Sequence, residues 1–380
     1  MTKFIKSILL LVFICSCSAK NENQANVTTK LPKKVEVAIL VPKPSSSAEL
    51  GKRLSNIIRS GIEDSLRGNV SITIYDSAGQ EFINKSMDQI IQRKTKIILG
   101  PLLASDVNLI KDRAKSNNID IITLSNSSSV VDTNVFVFGH TPLKQTERIV
   151  NYLLSNKSYK NFILLLPQAS HSVNLVKVLS EMIESRGGKI YFVEKYETSS
   201  EESMLQAVNK VQEVVDEINE SGESSTKPLI YVADEVKNLS NILSLLHKNK
   251  LDRKAIIFGD NRLDLGDNTE VMFTGSLNHI DSKISENAEE FTGSKHLSYM
   301  DKLAYDLGSL VGYAIDGEFS RERFHLLINN QSGFRNTSGL FRFSNGIAER
   351  RYDIVKKKES RYLIIDKAED FGEVNSYTGR

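Results

Sequence analysis

Val35-Glu36-Val37-Ala38-Ile39-Leu40-Val41-Pro42 is the stretch from which the fold is read. Apart from Glu36 it is apolar without alternation, the pattern of a strand covered on both faces. The next stretch changes period. Leu50, Leu54, Ile57, Ile58, Ile62 and Leu66 recur at helical spacing, and Ser46-x-x-Glu49 has the form of a capping box where that helix opens. A strand over 70–75, a helix near 80–93, a strand over 96–99 and a helix near 105–116 continue the alternation. A strand over 120–124 and the run 135–138 close this first series.

A second series begins after Pro142. It predicts a helix to about 155, a strand over 162–166, a helix near 172–186 and a strand over 189–193. A helix carrying Leu205, Val208, Val211, Val215 and Ile218 follows. A strand over 229–232, a helix near 236–249 and a strand over 255–258 come next. Apolar strands alternating with amphipathic helices predict α/β architecture with parallel sheets covered on both faces. Two such series predict two doubly wound lobes, and 380 residues suffice for two cores. A helix around 301–316 and a β-rich end over 338–366 return to them. Residues 221–227 form a polar loop, and no repeat of solenoid length is visible.

Chemistry is sparse along this framework. Net charge is +2, which gives no nucleic-acid footprint. The dense basic spots, Arg350-Arg351 and Lys356-Lys357-Lys358, read as solvated strand and turn ends. His140, His171, His247, His279, His296 and His325 are scattered without metal-ligand spacing, and both cysteines lie near the start. Neither a phosphate-cradling G-x-x-x-x-G-K-[ST] loop nor a G-x-S-x-G elbow occurs. The chain is therefore expected not to be an enzyme, with no metal site and no cofactor.

The beginning of the chain reads as a targeting segment. Lys3 and Lys6 precede the apolar run from Ile8 to Ile14, which is too short for the roughly 20 residues that span a bilayer. Ile14-Cys15-Ser16-Cys17 then resembles the lipobox of bacterial lipoproteins, which implies lipidation of Cys17 and cleavage just before it. Residues 1–16 are expected to be a signal peptide and 17–34 a lipidated flexible tether. The thiol takes the lipid, and each buried methylene contributes about 0.8 kcal/mol to anchoring. Ser18 after the cysteine resembles lipoproteins released to the outer membrane, so a periplasm-facing envelope location is expected, outer membrane before inner.

The order of elements and several strings resemble the type 1 periplasmic-binding fold, and within it most closely the penicillin-binding protein activators. The opening strand, Ile97-Ile98-Leu99-Gly100-Pro101-Leu102, Ile122-Thr123-Leu124-Ser125-Asn126-Ser127 and Phe138-Gly139-His140-Thr141-Pro142 carry the likeness. Ala304-Tyr305-Asp306 and the closing string from Gly339 to Gly346 add to it. The resemblance implies a periplasmic-binding-like domain over 35–370 with a tail over 371–380. It places lobe 1 at about 35–139 and 277–337 and lobe 2 at about 140–276 and 338–370, with a cleft at the strand ends.

A receptor for a free amino acid needs donors for the carboxylate, an acid for the ammonium and an apolar wall. Ser125, Asn126, Ser127 and Ser128 follow a strand end and are candidates for the first need, or else they cap a turn, and Ser105, which opens the helix after the Gly-Pro strand, is a further cleft candidate. Asp234 and Asp260 are candidates for the second. His171 stands near where transporter relatives often carry a tyrosine, and the glycines they favour after the first strand are replaced by Lys43-Pro44-Ser45-Ser46. The activator likeness implies a bifunctional peptidoglycan synthase, a penicillin-binding protein, as partner. The alternative is a substrate-binding lipoprotein that passes a branched-chain amino acid or similar solute to an ABC permease.

Overall fold

The computed structural model describes residues 34–43, 48–66, 69–140, 142–155, 159–222, 226–265, 269–277, 283–293, 297–315, 319–359, 361–372 and 375–376. Cys17, the signal and tether, and Ser46 lie outside the described residues. The first half-chain gives strands β1 (Val35–Val41), β2 (Val70–Asp76), β3 (Ile97–Leu99), β4 (Asp120–Thr123) and β5 (Val135–Val137). Helices α1 (Ala48–Ser65), α2 (Gln80–Gln92) and α3 (Ala104–Ser116) lie between them. Next come α4 (Pro142–Ser155), β6 (Asn161–Pro167), α5 (Ser170–Glu184), β7 (Lys189–Tyr196) and α6 (Glu201–Ser221). They are followed by β8 (Leu229–Val232), α7 (Val236–Lys248), α8 (Leu251–Lys254), β9 (Ile256–Gly259) and β10 (Val271–Gly275). After α9 (Lys283–Glu286) and α10 (Ala288–Thr292) stand two longer helices, α11 (Tyr299–Ala314) and α12 (Arg321–Ile328). The end is β11 (Phe334–Asn336), β12 (Gly339–Ser344), β13 (Ile347–Arg351), β14 (Asp353–Lys358), β15 (Arg361–Asp366) and β16 (Asn375–Ser376).

Two sheets result, in the orders β16-β11-β12-β13-β5-β4-β3-β1-β2 and β15-β14-β10-β9-β8-β6-β7. Each has a parallel heart and antiparallel strands toward one edge. Side-chain alternation explains why helices cover both faces. Val37, Ile39 and Val41 pack with α1 and α11, whereas Ala38 and Leu40 pack with α2 and α3. In the second sheet Ile163 and Leu165 meet α6 and α7, and Phe162, Leu164 and Leu166 meet α4 and α5. Each such buried side chain contributes about 1.5–3 kcal/mol. Both sheets belong to one compact unit, Lys34–Arg380.

Three expectations are corrected. Residues from 338 onward do not all return to the second lobe. β12 and β13 extend the first sheet, with Ile347 parallel to Val137, and the chain changes sheet only at Tyr352. β10 is a strand the sequence reading passed over, and it joins β9 to β14. Nor are the basic runs wholly solvated. Strand alternation turns Arg350 and Lys357 inward, at 9% and 1% exposure, while Lys356 and Lys358 pair with Glu270 at 2.5 and 3.4 Å.

Arg350 ties together two of the passages between sheets. It donates to the carbonyls of Phe138 and Gly139 at 2.6 and 3.1 Å, and its guanidinium lies over the Phe138 ring at 4.5 Å. Among the described residues no helix is long and apolar enough to cross a membrane.

Candidate functional site

The carboxyl ends of the parallel strands carry the candidate residues, and hydrogen bonding decides what each has left to offer. After β4, the Ser125 Oγ accepts from the Ser127 amide at 3.2 Å, and the Ser127 Oγ accepts from the Ser129 amide at 3.4 Å. Ser127 thereby caps a short 3-10 turn over Ser128–Val130. These hydroxyls hold their own turn, the use expected of serines beside a strand end. Ser128 is exposed within that turn. Asn126 is exposed and lines a chamber of about 680 Å³ together with Asp234 and Arg262. Ser105, at the start of α3, is exposed, and its hydroxyl donates to the Asp106 carboxylate at 3.2 Å.

The two aspartates are buried and fully engaged. Asp234 accepts the Tyr196 hydroxyl at 2.7 Å on one oxygen, and the Glu235 amide and Asn238 side chain at 2.6 and 3.1 Å on the other. Burial, and then the Asp234 carboxylate, raise the Tyr196 phenol far above its usual value, so it stays a donor. Asp260 accepts from the Arg262 Nε and Nη2 at distances from 2.6 to 3.0 Å across both oxygens. Arg262 also donates to the Asp234 carbonyl at 2.9 Å, so the two aspartates belong to one network. A carboxylate held on both oxygens by a guanidinium is poorly placed to take a ligand's ammonium. His171 is the second residue of α5, but its side chain lies outside what is described.

Sequence reasoning missed Arg262. The spacing Asp260-x-Arg262 directly after a strand was the available signal, since a residue two positions on can fold back onto the acid. It also missed a second chamber, of about 520 Å³, which shares Arg262 with the first and reaches the amino-terminal end of α11. His140, Asn261, Tyr299 and Lys302 line it. Burial lowers the His140 pKa to about 4, so the ring is neutral at pH 7. Among the described residues no group of three or more His, Cys, Asp or Glu side chains is arranged to hold a metal ion.

Two doubly wound lobes, between which the chain passes more than once, opening at their strand ends, define the type 1 periplasmic-binding fold. The structure is similar to that of a putative branched-chain amino acid ABC transporter from Rhodospirillum rubrum, with a TM-score of 0.69 at 12% identity over 88% of this chain and 100% of that one. The leucine-binding protein LivK of Thermotoga maritima is similar with a TM-score of 0.57 at 17% identity, covering 87% of this chain and 97% of that one. Full-length LpoA of Haemophilus influenzae matches with a TM-score of 0.59 at 16% identity, over 89% of this chain but 60% of that one. At such identities the likeness is one of fold. No family model matches the chain. The chain belongs to the family of the uncharacterized protein RP748 of Rickettsia prowazekii, with 36% identity over 361 residues, 94% of this chain and 96% of that protein.

Proposed function

We propose that this chain is a non-enzymatic, lipid-anchored envelope protein that regulates peptidoglycan synthesis by acting on a penicillin-binding protein. The observation that carries the reading is the self-saturation of the cleft. Asp234 and Asp260, the acids available at the ends of β8 and β9, already receive their full set of donors from Tyr196, Glu235, Asn238 and Arg262. A receptor for a free amino acid needs such an acid open. The likeness to LpoA, a penicillin-binding protein activator, supports a partner of that class.

Two arms test this reading. A panel of amino acids and short peptides is expected to leave the melting temperature unchanged, because only a ligand that binds the folded state raises it. Crosslinking in cells is expected to recover a membrane-bound glycan synthase with the chain. A micromolar amino-acid ligand would instead establish a solute receptor for an ABC importer. The anchor has its own test: Cys17→Ser is expected to move the chain from the membrane fraction to the soluble one, and unchanged fractionation would remove the lipid from the proposal.

A further inference from the structure

The chain passes from one lobe to the other between β5 and α4, between β10 and α9, and between β13 and β14. After β15 it passes once more, and this last crossing is held at both ends by side chains. On the second lobe, the Asp366 carboxylate accepts from Arg148 of α4 at 2.5 Å, and the Ala368 amide donates to the Asp353 carboxylate of β14 at 2.8 Å. On the first lobe, Asp370 pairs with Arg335 of β11. Phe371 follows, with the guanidiniums of Arg342 and Arg351 over its ring at 4.3 and 4.8 Å. Asn375 and Ser376 of β16 then pair with Phe334 and Arg335, on the outer edge of the first sheet.

Slack and leverage decide what such a crossing does. Ala368 is still tied to the second lobe and Asp370 already to the first, two residues later, at most about 7 Å of chain. The tail has nothing to pay out. β11 lies two strands out from β13, about 10 Å at ordinary strand spacing, so the grip is off the line of the β13–β14 passage. A rotation that carries β11 away from Asp353 has to pull one end of the tail free. Hinge closure in periplasmic binding proteins turns on a few residues at such passages. We propose that residues 366–371 are a brace that limits rotation of one lobe against the other, and that lifting Phe371 from its two arginines releases them. The brace lines neither of the strand-end chambers, so it acts whether or not the cleft is occupied.

Pulsed electron spin resonance on the full chain tests it. Nitroxides are placed on Leu103→Cys in the first lobe and Val173→Cys in the second, both exposed, with Cys15→Ser and Cys17→Ser removing the native thiols. One narrow distance distribution is expected. Ending the chain after Ala368, or Phe371→Ala, is expected at least to double its width or to add a second distance. Phe371→Trp keeps an aromatic face for both guanidiniums and is expected to retain the narrow distribution. Phe371 belongs to neither lobe's buried core, so Phe371→Ala should unfold in urea at the parent's midpoint, which separates release from misfolding. Equal widths in the parent, shortened and Phe371→Ala chains overturn the proposal. So does a parent as broad as Phe371→Ala, or a Phe371→Trp chain as broad as the alanine variant. No ligand or partner enters the measurement, so its outcome is distinct from those of the amino-acid panel and the crosslinking.

Discussion

Gly308→Ala is expected to cost about 3 kcal/mol of stability, and Gly308→Leu to prevent accumulation of folded protein. The reason is the closeness of α1 and α11. A Cβ built on Gly308 would lie 2.1 Å from the Ile58 carbonyl oxygen and 3.0 Å from the Ile62 nitrogen. Gly61 answers from the other helix, where a Cβ would meet the Tyr305 carbonyl at 2.3 Å, and Gly312, one turn on, would meet that of Ile62 at 2.6 Å. Every atom closer than 3 Å here is backbone, so no rotamer change relieves the clash and the helices themselves must part. Parting them opens the core formed by Leu54, Ile58, Ile62, Leu303, Leu307 and Val311. Alanine's better helix propensity, about 1 kcal/mol, offsets only part of that loss. Urea unfolding provides the check, with Leu326→Ala as reference, since Leu326 is 77% exposed and its loss should stay within about 0.5 kcal/mol. If Gly308→Ala unfolds within that same margin of the parent chain, the close crossing is wrong.

Asp306→Ala is expected to cost a comparable amount for a different reason. From α11 its buried carboxylate accepts the Thr337 amide at 3.0 Å and the Ser338 amide at 2.7 Å, together with the Ser338 hydroxyl. Thr337 and Ser338 form the turn between β11 and β12 and are themselves buried, at 2% and 3% exposure. Alanine leaves two buried amides without acceptors, each costing about 1–3 kcal/mol. Burial pushes the Asp306 carboxyl up from 3.8 to about 6, against the donors that favour its ionised form. A carboxyl raised in this way contributes stability that is complete below about pH 4 and is lost as the pH rises through 6. Between pH 7.5 and pH 5 the parent chain should therefore gain about 1 kcal/mol from this group, a gain missing in Asp306→Ala. Other carboxylates titrate in both proteins, so the difference between the two slopes is the quantity to measure. Parallel pH profiles would remove Asp306 as the source.

How much of this was legible depended on whether the deciding contact was local. The strands of both series could be read because burial on two faces leaves near-continuous apolar runs, as in β1 and β6. The stripe Leu54, Ile57, Ile58 and Ile62 marked the buried face of α1 in the same way. β10 offers an apolar run of only three residues, Val271-Met272-Phe273, and an antiparallel hairpin says nothing about which sheet edge will receive it. For that reason β12 and β13 were assigned to the wrong lobe. Arg350 and Lys357 were hidden inside basic runs, where only the register of a strand separates a clamp from a solvated end. At the cleft, position could be read and availability could not. Asp234 and Asp260 stand at strand ends as their place in the chain implies. What engages Asp234 includes Tyr196, the last residue of a strand elsewhere in the sheet.

The pairing of β13 with β5 also sets a timetable. Ile347 settles beside Val137, about two hundred residues earlier in the chain, so the first sheet lacks an interior strand until that whole interval has been synthesised. At ordinary synthesis rates that interval is on the order of 10 to 40 seconds. Throughout it β5 is a bare edge and Phe138 waits for Arg350. The first sheet is therefore completed only after the parallel strands of the second have been made.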